Sequence, residues 1–231
     1  MNSDRRKFIK NSALATAAIS AFPTIMNACA SPGEKVNVGL IGCRSMGFSN
    51  LQSFLKEGNN VDCVALSDVD SKILESRAAD VEKLTEKRPV LYSDFREMLD
   101  NPDIDAVIIG TPDHWHAHQM IMALQAGKHV YVEKPMGHSI EECNAMVNAA
   151  AKFPNLTVQV GMWQRSSKHW FEASEIVKSG QLGDVHLVKA WIYKGYDEPY
   201  PSMPDSTPPE HVDYDMWLGP APQRPFNANR F

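Results

Sequence analysis

Paired cysteines are missing from this sequence: Cys29, Cys43, Cys63 and Cys143 stand far apart and form no CxxC motif. That excludes a zinc ribbon or dithiol redox motif readable from spacing, and four scattered thiols are too few for a disulfide scaffold. Isolated buried cysteines behave as small apolar residues, so an exported location stays compatible with this count. An excess of positive charge is missing too. Lys and Arg number 23 against 28 Asp and Glu, a formal net charge of −5, which leaves no electrostatic footprint for nucleic acid. No apolar run makes a comfortable membrane span, because the stretch over residues 13–26 is short and broken by Pro23 and Thr24. Internal repeats and low-complexity tracts are also absent. What remains, 43% hydrophobic and 22% charged residues, is the composition of an ordinary globular protein. A length of 231 residues allows one good core and part of a second domain.

The first thirty residues read as a targeting segment rather than as fold. Arg5, Arg6, Lys7 and Lys10 precede the alanine-rich apolar stretch, and small residues follow near Ala28 and Ala30. A basic region, an apolar region and small residues make a secretory signal. The run Asp4-Arg5-Arg6-Lys7-Phe8-Ile9-Lys10 resembles the twin-arginine motif of cofactor proteins exported already folded, which predicts a periplasmic or membrane-anchored protein. The bland reading is a basic tail with a weak helix. Met26-Asn27-Ala28-Cys29 resembles a lipobox imperfectly, so a lipid anchor at Cys29 is a second expectation.

Beyond Ser31-Pro32-Gly33 the chain alternates short apolar runs with helical periods. Strands are expected at Val36 to Ile41, over residues 61–66, at Val90-Leu91-Tyr92, and over residues 106–109, 130–132 and 157–160, with helices between them. Ser139 and Glu142 form a capping box, each satisfying the other's exposed backbone donor. This alternation calls for a parallel sheet covered on both faces, since parallel strands need helical crossovers. The expected fold is therefore α/β, a Rossmann-type doubly wound sheet over residues 35–165. After Arg165 the texture changes: a helix over 171–179 and a strand over 185–192 look like the truncated start of a second, α+β open-sheet domain occupying 166–231. Residues 198–231 are proline-rich and aromatic with little periodicity.

Gly42-Cys43-Arg44-Ser45-Met46-Gly47 follows the first strand and opens the first helix, where helix amides and the macrodipole attract a pyrophosphate. The dinucleotide fingerprint wants glycine at the positions of Gly42, Arg44 and Gly47. Arginine in the middle must swing its side chain away or contact phosphate itself, and the turn alone reads equally as strand–turn–helix packing. Asp68, about twenty residues on, sits where an acidic side chain binds ribose hydroxyls and repels a 2′-phosphate. NAD is expected over NADP, although Arg44 could accommodate that phosphate. The competing role for Asp68 is the N-cap of the next helix.

Thr111-Pro112-Asp113-His114-Trp115-His116 follows the fourth strand and Glu133-Lys134-Pro135 the fifth. Both fall at the carboxyl ends of parallel strands, where open α/β sheets bind ligands. With Gly161-Met162-Trp163-Gln164-Arg165 and Trp217-Leu218-Gly219-Pro220, they resemble the Gfo/Idh/MocA oxidoreductase family from about Lys35 onward. The resemblance implies an NAD(P)-dependent enzyme moving a hydride to or from a secondary alcohol of a sugar, cyclitol or sugar derivative. It makes Lys134 the catalytic lysine beside nicotinamide and carbinol. A lysine in a partly dry pocket near Glu133 can be tuned towards acid–base work. Thr111, Pro112, His114 and His116 match the segment lining the cofactor. Gln164 and Arg165 match residues near the nicotinamide amide and the substrate mouth, while Gly42, Arg44, Ser45, Met46 and Asp68 carry the dinucleotide turn. Asp113 stands where the family usually has Asn.

Other readings stay open. His114 and His116 form an HxH pair able to hold a metal, but no carboxylate or cysteine cluster accompanies it. An isolated Glu-Lys-Pro is usually a solvated strand end. Trp115, Trp163 and Trp217 are more often packing residues than sugar platforms. The resemblance also implies a homo-oligomer in a complete family member, and a downstream Asp…His motif that this chain does not reach. The expectation is a truncated chain whose sheet edge from Val185 onward is prone to association. The alternatives to a dehydrogenase are an NAD-dependent glycoside hydrolase of related fold and an inactive cofactor-binding remnant.

Overall fold

The computed structural model of the chain describes residues 35–58, 60–191 and 201–231. The expected export signal and the expected lipid site at Cys29 lie outside them. Strand and helix alternate as β1 (Val36–Ile41), α1 (Ser45–Glu57), β2 (Val61–Ser67), α2 (Ser71–Thr85), β3 (Val90–Tyr92), α3 (Phe95–Leu99), β4 (Ala106–Ile109), α4 (Asp113–Gln125), β5 (His129–Glu133), α5 (Ile140–Lys152) and β6 (Val158–Gly161). The six strands form one sheet in the order β3-β2-β1-β4-β5-β6, and every neighbouring pair is parallel. Chain order reverses between β1 and β4, so a crevice opens there at the carboxyl ends of the strands.

Period-2 alternation along the strands feeds two separate cores, one per face. Leu40 and Ile108 pack with Phe48 and Leu51 of α1 and Leu74, Ala78 and Val81 of α2. Ile41, Val107 and Ile109 face the other way, against Met98 of α3, Ala117, Met120 and Leu124 of α4, and Met146 of α5. Leu40, Leu51, Val107 and Leu124 are completely buried; each such side chain contributes about 1.5–3 kcal/mol of burial free energy. Side chains cap several helices. Asp70 accepts the backbone N–H of Lys72 and of Ile73 to start α2, and Ser139 with Glu142 closes the expected capping box on α5.

Past the sheet a 3-10 turn (Trp163–Ser166) leads to α6 (Lys168–Lys178), which buries none of its residues. The strand expected over 185–192 is not formed at 185–191, which stay exposed with no pairing partner; Ile192 lies outside the described residues. An apolar run becomes a strand only when its backbone groups meet a neighbour, and no described strand pairs with it. Residues 201–231, irregular in sequence, have order of their own: α7 (Tyr214–Leu218) and a small core of Val212, Tyr214, Leu218 and Phe226. They dock on the sheet domain. Ser71 N–H donates to the His211 carbonyl and Asp213 N–H to the Val69 carbonyl, and Trp115 Nε1 donates to the Met216 carbonyl at 3.0 Å.

Candidate functional site

The strand ends are level. Ile41 lies opposite Ser67 and Ile109, Ile109 opposite Val132, and Glu133 opposite Gly161. Five post-strand segments therefore open onto one edge of the sheet. At the first, Gly42 adopts a positive φ of 86°, which only glycine takes without strain. A Cβ on Gly47 would lie 2.2 Å from the Gly42 carbonyl oxygen, and one on Gly110 would lie 2.4 Å from the Gly47 Cα. Those glycines let turn, helix α1 and β4 touch. Arg44 needs no such freedom, since its φ of −86° and ψ of 167° are ordinary extended backbone. No side chain caps α1 and no carboxylate sits in its first turn. Its amides and positive dipole end are thus placed to receive an anion.

A cavity of about 340 Å³ lies over this turn, within the range of small-ligand sites. Gly42, Arg44, Ser45, Met46, Asp68, Thr111 and Pro112 all line it, so seven of the residues named from sequence come together. Asp68 Oδ2 accepts the Cys43 N–H at 2.7 Å and Oδ1 the Asp70 N–H at 2.9 Å. It is therefore not the cap of α2, which is Asp70. Burial pushes the Asp68 carboxyl up from its ordinary value; the two N–H bonds and the charge of Arg44 oppose that rise, and Asp70 adds to it. Each Asp68 oxygen keeps acceptor capacity for a hydroxyl. A glycine turn at an uncapped helix end, with an acidic group at the next strand end, fits a dinucleotide's pyrophosphate and ribose.

The remaining expected residues do not line that cavity. His116 is 1% exposed, with Nδ1 2.7 Å from the Pro135 carbonyl oxygen and Nε2 2.9 Å from that of Thr111. It is a strut between the loops after β4 and β5. His114 Nε2 lies 2.9 Å from the Trp217 carbonyl oxygen. Both imidazoles are thus engaged with backbone, which takes the HxH pair away from a shared metal. Glu133 is buried: Oε1 accepts from Asn50 Nδ2 at 2.9 Å and Oε2 from the Lys134 N–H at 3.0 Å. Lys134 precedes a cis bond to Pro135, and its side chain is exposed rather than in the partly dry pocket expected. The physical reason is that nothing described covers the end of β5. Gln164 and Arg165 stand exposed in the 3-10 turn after β6.

Sequence reading missed the far wall of the cavity, made by Met216, Trp217, Arg230 and Phe231. Only Trp217 carried a signal, in its Trp-Leu-Gly-Pro segment; Arg230 and Phe231 carried none. The Arg44 guanidinium packs 4.4 Å over the Phe231 ring and reaches Asp70 Oδ2 at 2.5 Å.

A parallel sheet of this strand order, with a glycine turn at its switch point and an acidic residue ending β2, defines a dinucleotide-binding Rossmann domain. Residues 36–162 match the sequence model of the Gfo/Idh/MocA oxidoreductase family described as an NAD-binding Rossmann fold, and residues 174–231 match its C-terminal alpha/beta domain. The chain belongs to the Gfo/Idh/MocA family. A Glycosyl hydrolase family 109 protein of Shewanella baltica is 32% identical over 174 residues, 65% of this chain and 38% of that protein. Inositol 2-dehydrogenase 2 of Saccharopolyspora erythraea is 28% identical over 188 residues, 79% of this chain and 53% of the relative. Scyllo-inositol dehydrogenase of Lactobacillus casei, solved with NAD(H) and scyllo-inositol, superimposes with a TM-score of 0.60 at 28% identity, covering 65% of this chain and 43% of that one. The chain spans about half or less of the length of these relatives.

Proposed function

We propose that this protein belongs to an NAD-dependent enzyme moving a hydride to or from a secondary alcohol of a sugar, cyclitol or sugar derivative. The observation carrying this reading is the level edge of the sheet, where the dinucleotide cavity and the Glu133-Lys134-Pro135 turn stand on neighbouring strands. NAD, when bound, supplies the hydride exchange. Gly42 and the uncapped start of α1 would hold its pyrophosphate, and Asp68 a ribose. Lys134 Nζ would hold the substrate oxygen and carry the hydroxyl proton as the carbinol carbon becomes a carbonyl. Glu133 orients this lysine through its backbone N–H, and His116 braces the following residue. Gln164 and Arg165, after β6, would face the amide and substrate mouth.

Calorimetric titration of NAD+ and an oxidation assay over polyols and sugars test this reading. The expected result is NAD+ binding that survives Lys134→Ala, and turnover, however low, that does not. Robust turnover in the Lys134→Ala variant would remove the lysine from the chemistry. The Shewanella relative supports a second reading, an NAD-dependent glycoside hydrolase; release of aglycone with no net NADH would favour it. Export rests on Arg5 and Arg6. Replacing both with lysine is expected to retain the protein in the cytoplasm on cell fractionation, and mass spectrometry of the exported protein would reveal lipid on Cys29. Homo-oligomerisation, read by light scattering, is expected of the complete protein.

A further inference from the structure

Arg44 occupies the middle position of the glycine turn and lines the cavity, where a free guanidinium would attract any additional phosphate on the adenosine ribose. It is not free. Its Nη2 lies 2.5 Å from Asp70 Oδ2, and the Asp70 side chain is 4% exposed against 44% for Arg44. Asp70 is itself pinned: Oδ1 accepts the Lys72 and Ile73 N–H groups at the start of α2, and His211 Nε2 stands 3.9 Å away. A buried acceptor held by two backbone N–H groups cannot follow Arg44 outward, so moving the guanidinium would strand a buried carboxylate. Phe231 packs on the guanidinium as well. Arg230, the other cation lining the cavity, is turned to other partners: it lies 3.6 Å from the exposed Asp205 Oδ1 and donates to the Pro225 carbonyl.

We propose that Asp70 is a specificity-determining residue for the dinucleotide, acting through Arg44. By pairing the guanidinium with its own buried carboxylate it withholds the charge that a ribose 2′-phosphate needs, and so enforces NAD over NADP. Asp68 acts directly at the ribose; Asp70 removes the competing cation. A guanidinium is well suited to bind phosphate when available, through paired N–H donors, so the ion pair converts a phosphate-binding residue into part of the wall.

The inference rests on the dinucleotide site described above, and the wild-type titration separates the two. Failure of the wild-type chain to bind either NAD+ or NADP+ in calorimetry would sink the dinucleotide reading and this one with it. Given wild-type binding, Asp70→Asn keeps an oxygen to cap α2 and removes the charge. NADP+ affinity is then expected to rise about tenfold while NAD+ affinity changes by about twofold or less. Arg44→Ala is expected to weaken both dinucleotides equally, leaving their ratio unchanged. The double variant Asp70→Asn/Arg44→Ala is expected to lose the NADP+ gain, because the gain travels through Arg44. A folded Asp70→Asn chain with an unaltered ratio would overturn the proposal. So would a selective loss of NADP+ binding in Arg44→Ala, a test that stands even if Asp70→Asn fails to fold.

Discussion

At the scale of single residues, the site depends on side chains whose work is to hold backbone in place. The buried His116 ring faces two carbonyl oxygens, 2.7 and 2.9 Å from its ring nitrogens. A neutral imidazole donates from only one of its nitrogens, so removing this ring costs about 1–3 kcal/mol for that hydrogen bond and adds the cost of a cavity at a buried position. His116→Ala is therefore expected to lower the unfolding free energy by about 2–5 kcal/mol, read by urea denaturation, whereas a ring merely lining the cofactor would leave stability intact. Burial acts on the thiols as well. It pushes Cys63 up from 9.0 to about 12, and Cys43 also rises, with burial the largest cause and the charge of Asp68 next. A thiol whose pKa is higher folded than unfolded binds its proton more tightly in the native state. Its stabilising effect is complete below pH 9 and is lost as pH rises towards 12. Denaturation midpoints measured across that window should fall, and fall less steeply in a Cys63→Ala chain compared with its own midpoint at neutral pH. The half-buried Cys143 should react with iodoacetamide at pH 8 long before Cys43 or Cys63 does.

Elements meet here through glycine. The Gly47 and Gly110 positions leave no room for a Cβ against backbone, with 2.2 Å to the Gly42 carbonyl oxygen and 2.4 Å to the Gly47 Cα. Backbone cannot yield as a flexible side chain does, so Gly47→Ala should separate α1 from β1 and abolish NAD+ binding. Gly127 is the control: its φ of 76° is left-handed, but a Cβ there meets nothing. Gly127→Ala should cost only about 1–2 kcal/mol of backbone strain and spare NAD+ binding. Helix α6 sits at the opposite extreme, with no buried residue and only 11 residues, below the length at which an isolated helix is stable in water. In hydrogen exchange its amides should exchange at close to unprotected rates while those of β1 and β4 stay protected. Equal protection of α6 in this chain would mean that it packs against something.

On the scale of the whole molecule, the cavity is a joint product of distant segments. Its floor comes from the strand ends, legible because alternation, the glycine turn, Asp68 and the Thr111-Pro112 motif stand at fixed places in a parallel sheet. Its far wall comes from residues 201–231, whose docking is set by backbone hydrogen bonds from Ser71 and Asp213 and by Trp115, whose ring fills the space beside Gly219. Those contacts have no local periodicity, which is why the segment reads as irregular in sequence. That segment also takes up His114 through the Trp217 carbonyl, while His116 turns to the Thr111 and Pro135 carbonyls; a motif on a helix specifies spacing but not which residues point into a crevice. The run after Val185 shows the converse: its apolar pattern suits a strand, yet strand identity needs a partner supplied from elsewhere.

Local chemistry in the chain determined the element order, the two-faced burial of the strands, the capping box at Ser139 and the position of the dinucleotide turn. Each of these follows from periodicity or from hydrogen bonds between residues close in sequence. Only the tertiary structure decided where Arg44 points. Its partners Asp70 and Phe231 arrive from a different strand end and from a segment far along the chain, and an ion pair between a turn and a buried helix cap leaves no trace in spacing. The sequence left the arginine open between binding a phosphate and turning aside; the fold turned it aside, because the buried Asp70 carboxylate needs a compensating charge more than an exposed turn does.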